Sequence, residues 1–376
     1  MKVTSEIKNA LEAGSAGDLN AVQRLIRKNP DLKNDSRVLN AAALHGHASI
    51  VKFLLESGAD PNQEVLSHEH YRPLHRVIEH RGVPKNPGHL ETTRLLLEKG
   101  SGLDTRGTWM SITPLAVAGM KGDREFIKLV LAKDPGLDIY SAAILADAKG
   151  VGRFLEKTPS LAKTKDVNQM TPLHYAALSG LKEAEDQENL RKLTLLLLEN
   201  GGDPNARENI GPYPKTPVLH FTAWGNNFAV AKTLLAKGAN PNFGFGNCLW
   251  HEPLDMADLF LSHGADVNSE ESPGVPLLHS RIHWNLPGIC LWLIRNGANP
   301  NAVDGKGNTA LHVAARKGIN ARVIEALVER GGNLKAKDGS GKTPLEIARK
   351  MKKTKTSELL QSLERNSNIA GKRRPI

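Results

Sequence analysis

The chain has 376 residues, 40% hydrophobic and 24% charged, a globular composition that excludes wholesale disorder. No stretch approaches ~18 uninterrupted apolar residues, which excludes a membrane span, and the opening Met1-Lys2-Val3-Thr4-Ser5-Glu6-Ile7-Lys8 lacks the apolar core of a secretory signal. Two cysteines cannot build a disulfide framework or a thiolate zinc site and point to a reducing, cytoplasmic setting, while the net charge of +10 sits mostly at one end, Lys335 to Ile376 holding 12 Lys/Arg against 4 Asp/Glu.

In chain order, two phrases alternate. The first closes a unit: Gly58-Ala-Asp-Pro-Asn62, Gly100-Ser-Gly-Leu-Asp104, Gly201-Gly-Asp-Pro-Asn205, Gly238-Ala-Asn-Pro-Asn242, Gly264-Ala-Asp-Val-Asn268, Gly297-Ala-Asn-Pro-Asn301 and Gly331-Gly-Asn-Leu-Lys335. The second opens one: Arg72-Pro-Leu-His75, Thr113-Pro-Leu-Ala116, Thr171-Pro-Leu-His174, Thr309-Ala-Leu-His312 and Thr343-Pro-Leu-Glu346, with Thr216-Pro-Val-Leu-His220 and Val275-Pro-Leu-Leu-His279 each one residue longer. A threonine hydroxyl caps a helix, proline suits its first position, and Leu173, Ala176 and Ala177 then face inward. Gly180, like Asn226 and Asn285 after it, is placed to end the first helix in the left-handed conformation. A second apolar helix follows, such as Ile50 to Leu55, and Asp60-Pro61-Asn62 turns the chain into an extended finger.

These motifs resemble those of the ankyrin-repeat family, and they run through nearly the whole chain. The resemblance implies an all-α ankyrin-repeat solenoid of stacked helix-turn-helix units with finger loops. It also implies a protein partner bound on the concave face formed by fingers and first helices.

Spacing locates the irregular units. The signature leucines fall at 39, 74, 115, 173, 219, 278, 311 and 345. The gaps of 58 and 59, against a period of about 33, each hide one short repeat. That makes eleven units over residues 1–364, the fifth and eighth abbreviated, followed by a basic tail, 365–376, expected to be disordered. Insertions lie at Arg81–Gly88 and Leu181–Glu188, between the two helices of the third and sixth units, and Asn209–Pro214 lengthens a finger. In solenoids such insertions map to one face, often the binding face.

Signals of chemistry are weak. Asp338-Gly-Ser-Gly-Lys-Thr343 imitates a phosphate-binding loop, but Ala336 stands where that motif needs its first glycine. His68, Glu69 and His70 could contribute to a zinc site, yet His75 and His279 occupy the signature position, and no His-Glu-x-x-His motif occurs. Cys248 and Cys290 lack nucleophile motifs, so neither a catalytic group, a metal nor a cofactor is expected. Tyr71, Trp109, Tyr213, Phe245 and Trp250 fall on or beside fingers and are the candidate binding anchors. Trp292 stands where leucine packs in other second helices, and is expected to be structural. The alternative is an adaptor that docks nucleic acid or another polyanion through the basic end.

Overall fold

Local chemistry sets where each helix begins. The computed structural model describes the chain apart from residues 1–4, 66–70, 109, 211–212, 251, 253 and 372–376, and apart from the side chains of 213 and 368–371. The first three pairs are α1 (Ser5–Ala16) and α2 (Leu19–Lys28), α3 (Ser36–Leu44) and α4 (Ala48–Glu56), α5 (Pro73–Glu79) and α6 (Pro87–Glu98). Next come α7 (Pro114–Lys121) and α8 (Arg124–Leu131), α9 (Ile139–Ile144) and α10 (Ala148–Lys157), α11 (Pro172–Leu178) and α12 (Ala184–Glu199). Hairpin strands β1 (Arg207–Ile210) and β2 (Tyr213–Pro217) precede α13 (Val218–Trp224) and α14 (Phe228–Ala236). These seven pairs form one compact unit, Met1–Ala239.

The second compact unit, Asn240–Ile376, opens with a 3-10 helix, Phe245–Leu249, in place of a first α-helix, followed by α15 (Asp255–Ser262). Strands β3 (Glu270–Ser272) and β4 (Val275–Pro276) lead into α16 (Leu277–His283) and α17 (Pro287–Arg295). The chain continues with α18 (Ala310–Lys317) and α19 (Ala321–Glu329), then α20 (Pro344–Lys350) and α21 (Thr354–Gly371). The expected tail is thus shorter than its sequence suggests: α21 runs past Arg365 to Gly371, and the basic residues 372–374 lie outside the described chain.

Within each compact unit, first helices pack on first helices (α1 on α3, α9 on α11, α16 on α18, α18 on α20). Second helices pack on second helices (α4 on α6, α12 on α14, α17 on α19). The architecture is an all-α solenoid of repeated helix pairs, each burying its apolar face against its neighbours.

Two polar devices tie the pairs together. The Thr171 and Thr309 amides donate to Nδ1 of His174 (3.2 Å) and His312 (3.0 Å), closing capping boxes. The far nitrogen then reaches the neighbouring pair: Nε2 of His75, His279 and His312 donates to the carbonyls of Ile112, Asn308 and Lys342 at 2.9–3.0 Å. The finger asparagines form the second device. Asn62 Nδ2 donates to Gly100 O (3.0 Å) while its Oδ1 accepts from Gly102 N (2.7 Å). Asn301 repeats the pattern with Gly331 O and Asn333 N, both at 2.8 Å.

The fifth pair departs from the rule. α9 has six residues and ends at Ile144, whose side chain lies against Gly119. The backbone of Gly180 therefore reaches the end of α7 directly, its N–H donating to Gly119 O at 2.9 Å. Gly180 does not take the left-handed conformation expected of it, whereas Asn226 (φ 47°) and Asn285 (φ 58°) do. Its need for glycine is steric, because a Cβ there would stand 2.2 Å from the Met120 carbonyl oxygen. Gly180→Ala is expected to cost about 1–3 kcal/mol of stability through this overpacking. Urea titration checks it; a midpoint equal to that of the unaltered protein would show that the two backbones can separate freely.

Candidate functional site

The five candidate anchors do not share one environment. Tyr71 is 1% exposed, its hydroxyl donates to the Glu79 carboxylate, and the Arg76 guanidinium lies 4.0 Å from its ring centroid. Phe245 is fully buried (0%) in the 3-10 helix. Neither offers contact surface, which corrects their reading as anchors: both rings fill the interior. Trp250 is half-buried, with the Arg281 guanidinium 4.1 Å over its ring and Trp284 at 5.8 Å. Tyr213 lies on β2 with its side chain outside the described residues, as is the whole of Trp109. Trp292 is half-buried rather than a core residue; its Nε1 donates to Asp258 Oδ1 at 2.9 Å.

The exposed aromatic surface lies elsewhere, at the ends of first helices. Trp224, the last residue of α13, is 52% exposed, and Trp284, directly after α16, is 60% exposed. In the first compact unit the C-terminal ends of four first helices converge on one cleft of about 380 Å³. Glu79 ends α5, Met120 and Lys121 end α7, Leu178 ends α11 and Trp224 ends α13. Met110 completes an apolar lining, with exposed Arg81 and Lys121 beside it. The short α9 opens this space, since its own end stops at buried Ile144.

The two insertions frame the cleft and are held by charge. Lys85 from the third pair donates to Asp123 (2.5 Å) and Glu125 (2.8 Å), at the start of α8. Arg124 on the same turn donates to Glu183 (2.9 Å) and, through one nitrogen, to both oxygens of Asp186 (2.8 and 2.7 Å) in the sixth pair's insertion. Lys182 reaches the carbonyls of Gly225 and Asn226, the latter at 2.9 Å. Burial lowers the Lys182 pKa. The insertions are therefore fixed elements of the surface.

The second compact unit has its own groove, about 980 Å³, along the ends of α16, α18 and α20. Trp284 and Met351 (45% exposed) give it apolar surface, and Lys306, Arg316 and Lys317 give it positive charge.

The groups that could carry chemistry are otherwise engaged. Burial pushes the thiols of Cys248 and Cys290 up to about 12, so they are protonated at neutral pH and poor nucleophiles. The Asp338 carboxylate accepts the Lys342 amide (2.9 Å) and the Ser340 hydroxyl (2.8 Å), bonds that hold its pKa down to about 2. The glycine-rich loop is thereby a closed finger turn. His75 and His279 are committed to backbone carbonyls, and His68 and His70 lie outside the described residues. Among the described residues no three His, Cys, Asp or Glu side chains are grouped to hold a metal ion, and no helix is long and apolar enough to cross a membrane.

Three family models match the chain: ankyrin repeats (3 copies) over residues 10–106, ankyrin repeat over 168–209, and ankyrin repeats (many copies) over 293–348. The chain is similar to Rabankyrin-5 of Homo sapiens, 25% identical over 242 residues that cover 59% of this chain and 19% of that protein. It is similar to the E3 ubiquitin-protein ligase KEG of Arabidopsis thaliana, 24% identical over 342 residues, 84% of this chain and 19% of that one. A putative ankyrin repeat protein, L86, of Acanthamoeba polyphaga mimivirus is 30% identical over 126 residues, 31% of this chain and 19% of that protein. The chain thus spans about a fifth of the length of these relatives.

Proposed function

Because the chain belongs to the ankyrin-repeat family, whose repeats generally serve protein–protein interaction, we propose that it is a non-catalytic binding protein. In this reading the ends of the first helices between α5 and α13 receive the partner. The observation that carries this reading is the half-exposed Trp224 beside an apolar cleft bounded by two ion-paired insertions. A cleft of about 380 Å³ is at the small end of the range that binds ligands, and suits one large apolar side chain inserted from a partner. Trp224, Met120 and Leu178 would contact it, with Arg81 and Lys121 orienting the flanking polar groups. The two free cysteines agree with a reducing, cytoplasmic setting.

Proteins retained by the intact chain from a lysate of the source organism, and lost by Trp224→Ala, identify the partner. Titration with that partner should then show Trp224→Ala weakening affinity at least about tenfold, a loss of about 1.4 kcal/mol or more, with helical content unchanged. Equal retention and equal affinity for Trp224→Ala and the unaltered chain would remove the cleft from the binding surface.

A further inference from the structure

We propose that the groove of the second compact unit is a separate docking site for an acidic peptide segment of a partner protein, with an apolar side chain of that segment seated on Trp284 and Met351. At about 980 Å³ the groove is large enough for several residues of extended chain. Its two exposed apolar side chains lie within it together with Lys306, Arg316 and Lys317.

Its carboxylates are already engaged. Glu271 pairs with buried Arg281 at 2.8 Å, and Asp304 holds the Asn308 amide through both oxygens, at 3.0 and 2.8 Å. The cations are not: among the described residues Lys306 and Lys317 in the groove, and Lys342 and Lys350 outside its lining, have no carboxylate within ion-pairing distance, and Arg316 bonds only the Asn308 side-chain oxygen, at 3.0 Å. Lys317 and Lys350 end helices, where the dipole favours a cation with or without a ligand. Lys306 and Lys342 are on fingers, where no helix end accounts for them. Beyond the groove's end Lys342 first, then burial and Arg316, lower the Lys350 pKa, with Asp338 opposing them less strongly. An incoming carboxylate relieves that repulsion.

The mixture favours a peptide over a nucleic acid. A polyanion needs a continuous cationic track, whereas this groove is lined by Glu271 and Asp304 as well as by the cations, and by the apolar Trp284 and Met351. A peptide with acidic residues beside one leucine or aromatic residue satisfies both surfaces.

The probe is a library of random peptides displayed on phage, selected on the full chain, with recovered peptides then titrated by fluorescence anisotropy. The expected sequences carry Asp or Glu flanking an apolar residue. Their affinity should fall at least about tenfold for Trp284→Ala and for the exposed pair Lys317→Glu with Lys350→Glu, and should fall as salt rises. Trp224→Ala should leave it unchanged, which separates this site from the cleft of the first compact unit. Recovery of no peptide, recovery of peptides without acidic residues, or equal binding by Trp284→Ala would overturn the proposal. So would tighter binding of a single-stranded oligonucleotide that Lys317→Glu abolishes and Trp284→Ala does not.

Discussion

Acidification from about pH 7 to about pH 4.5 is expected to remove several kcal/mol of folding stability. The cause is the set of histidines buried along the repeats, some of which tie successive pairs together. Burial pushes His75 and His220 down to about 4 and His174 down to about 3, and it also lowers His89, His279 and His312. In each the fold favours the neutral imidazole. In the capping boxes Nδ1 must accept the threonine N–H, so a proton there abolishes the bond. In the unfolded chain the same residues titrate near 6.5. Between that value and about 4 the unfolded state binds more protons, so stability is fully present above about pH 6.5 and declines as pH falls through this window. A depression of one pKa unit corresponds to about 1.4 kcal/mol, so His75 and His174, both fully buried, each contribute on the order of a few kcal/mol. The carboxylates act lower: Glu188 and Asp338, both held to about 2, lose their contribution only below the ordinary carboxylate range. Urea midpoints measured at intervals across the window test this. A midpoint that does not move between about pH 7 and about pH 5 would mean that the buried histidines open locally to water.

The helix pairs were legible because each carries its start and its stop in local chemistry. Thr-Pro-Leu specifies a cap and a first turn, and Gly-Ala-Asp-Pro-Asn a stop and a turn, so alternation of the two phrases lays out the units. The eighth pair, which opens with a 3-10 helix, was locatable from spacing alone. The direction of the aromatic side chains was not legible. Tyr71 flanks a finger but turns inward because Glu79, at the end of the following helix, accepts its hydroxyl. Gly180 reads as a helix stop, and only its close approach to Gly119–Gly122 reveals a steric role. The salt bridges that fix the insertions join residues 38 to 62 positions apart, beyond any local pattern. One signal for the candidate site was present in the spacing. The fifth and sixth residues after a signature leucine fall at the end of the first helix, and there stand Met120, Lys121, Leu178, Trp224, Trp284, Lys317 and Met351.

Removal of the Glu271 carboxylate is expected to destabilise the second compact unit by about 3–5 kcal/mol, the usual cost of leaving a buried charge without its partner. Arg281 is fully buried, and the 3-10 helix that replaces the eighth pair's first α-helix explains why it is there. Its side chain reaches that short helix and donates to the Gly246 carbonyl at 2.7 Å. Nη1 donates to Glu271 (2.8 Å) and Ser280 Oγ (2.9 Å), Nε is buried without a hydrogen-bond partner, and Trp250 covers the guanidinium from one side. Glu271→Ala therefore strands a cation in the interior, although Glu271 itself keeps some contact with solvent. Arg281→Met should cost less, because it removes the buried charge and loses mainly the hydrogen bond to Gly246 O, about 1–3 kcal/mol. The double variant should resemble Arg281→Met alone, since Glu271 without the arginine can turn to water. Urea denaturation of the three variants checks the order. If Glu271→Ala is no less stable than Arg281→Met, then water already reaches the guanidinium, and the ion pair is not what holds the abbreviated repeat in place.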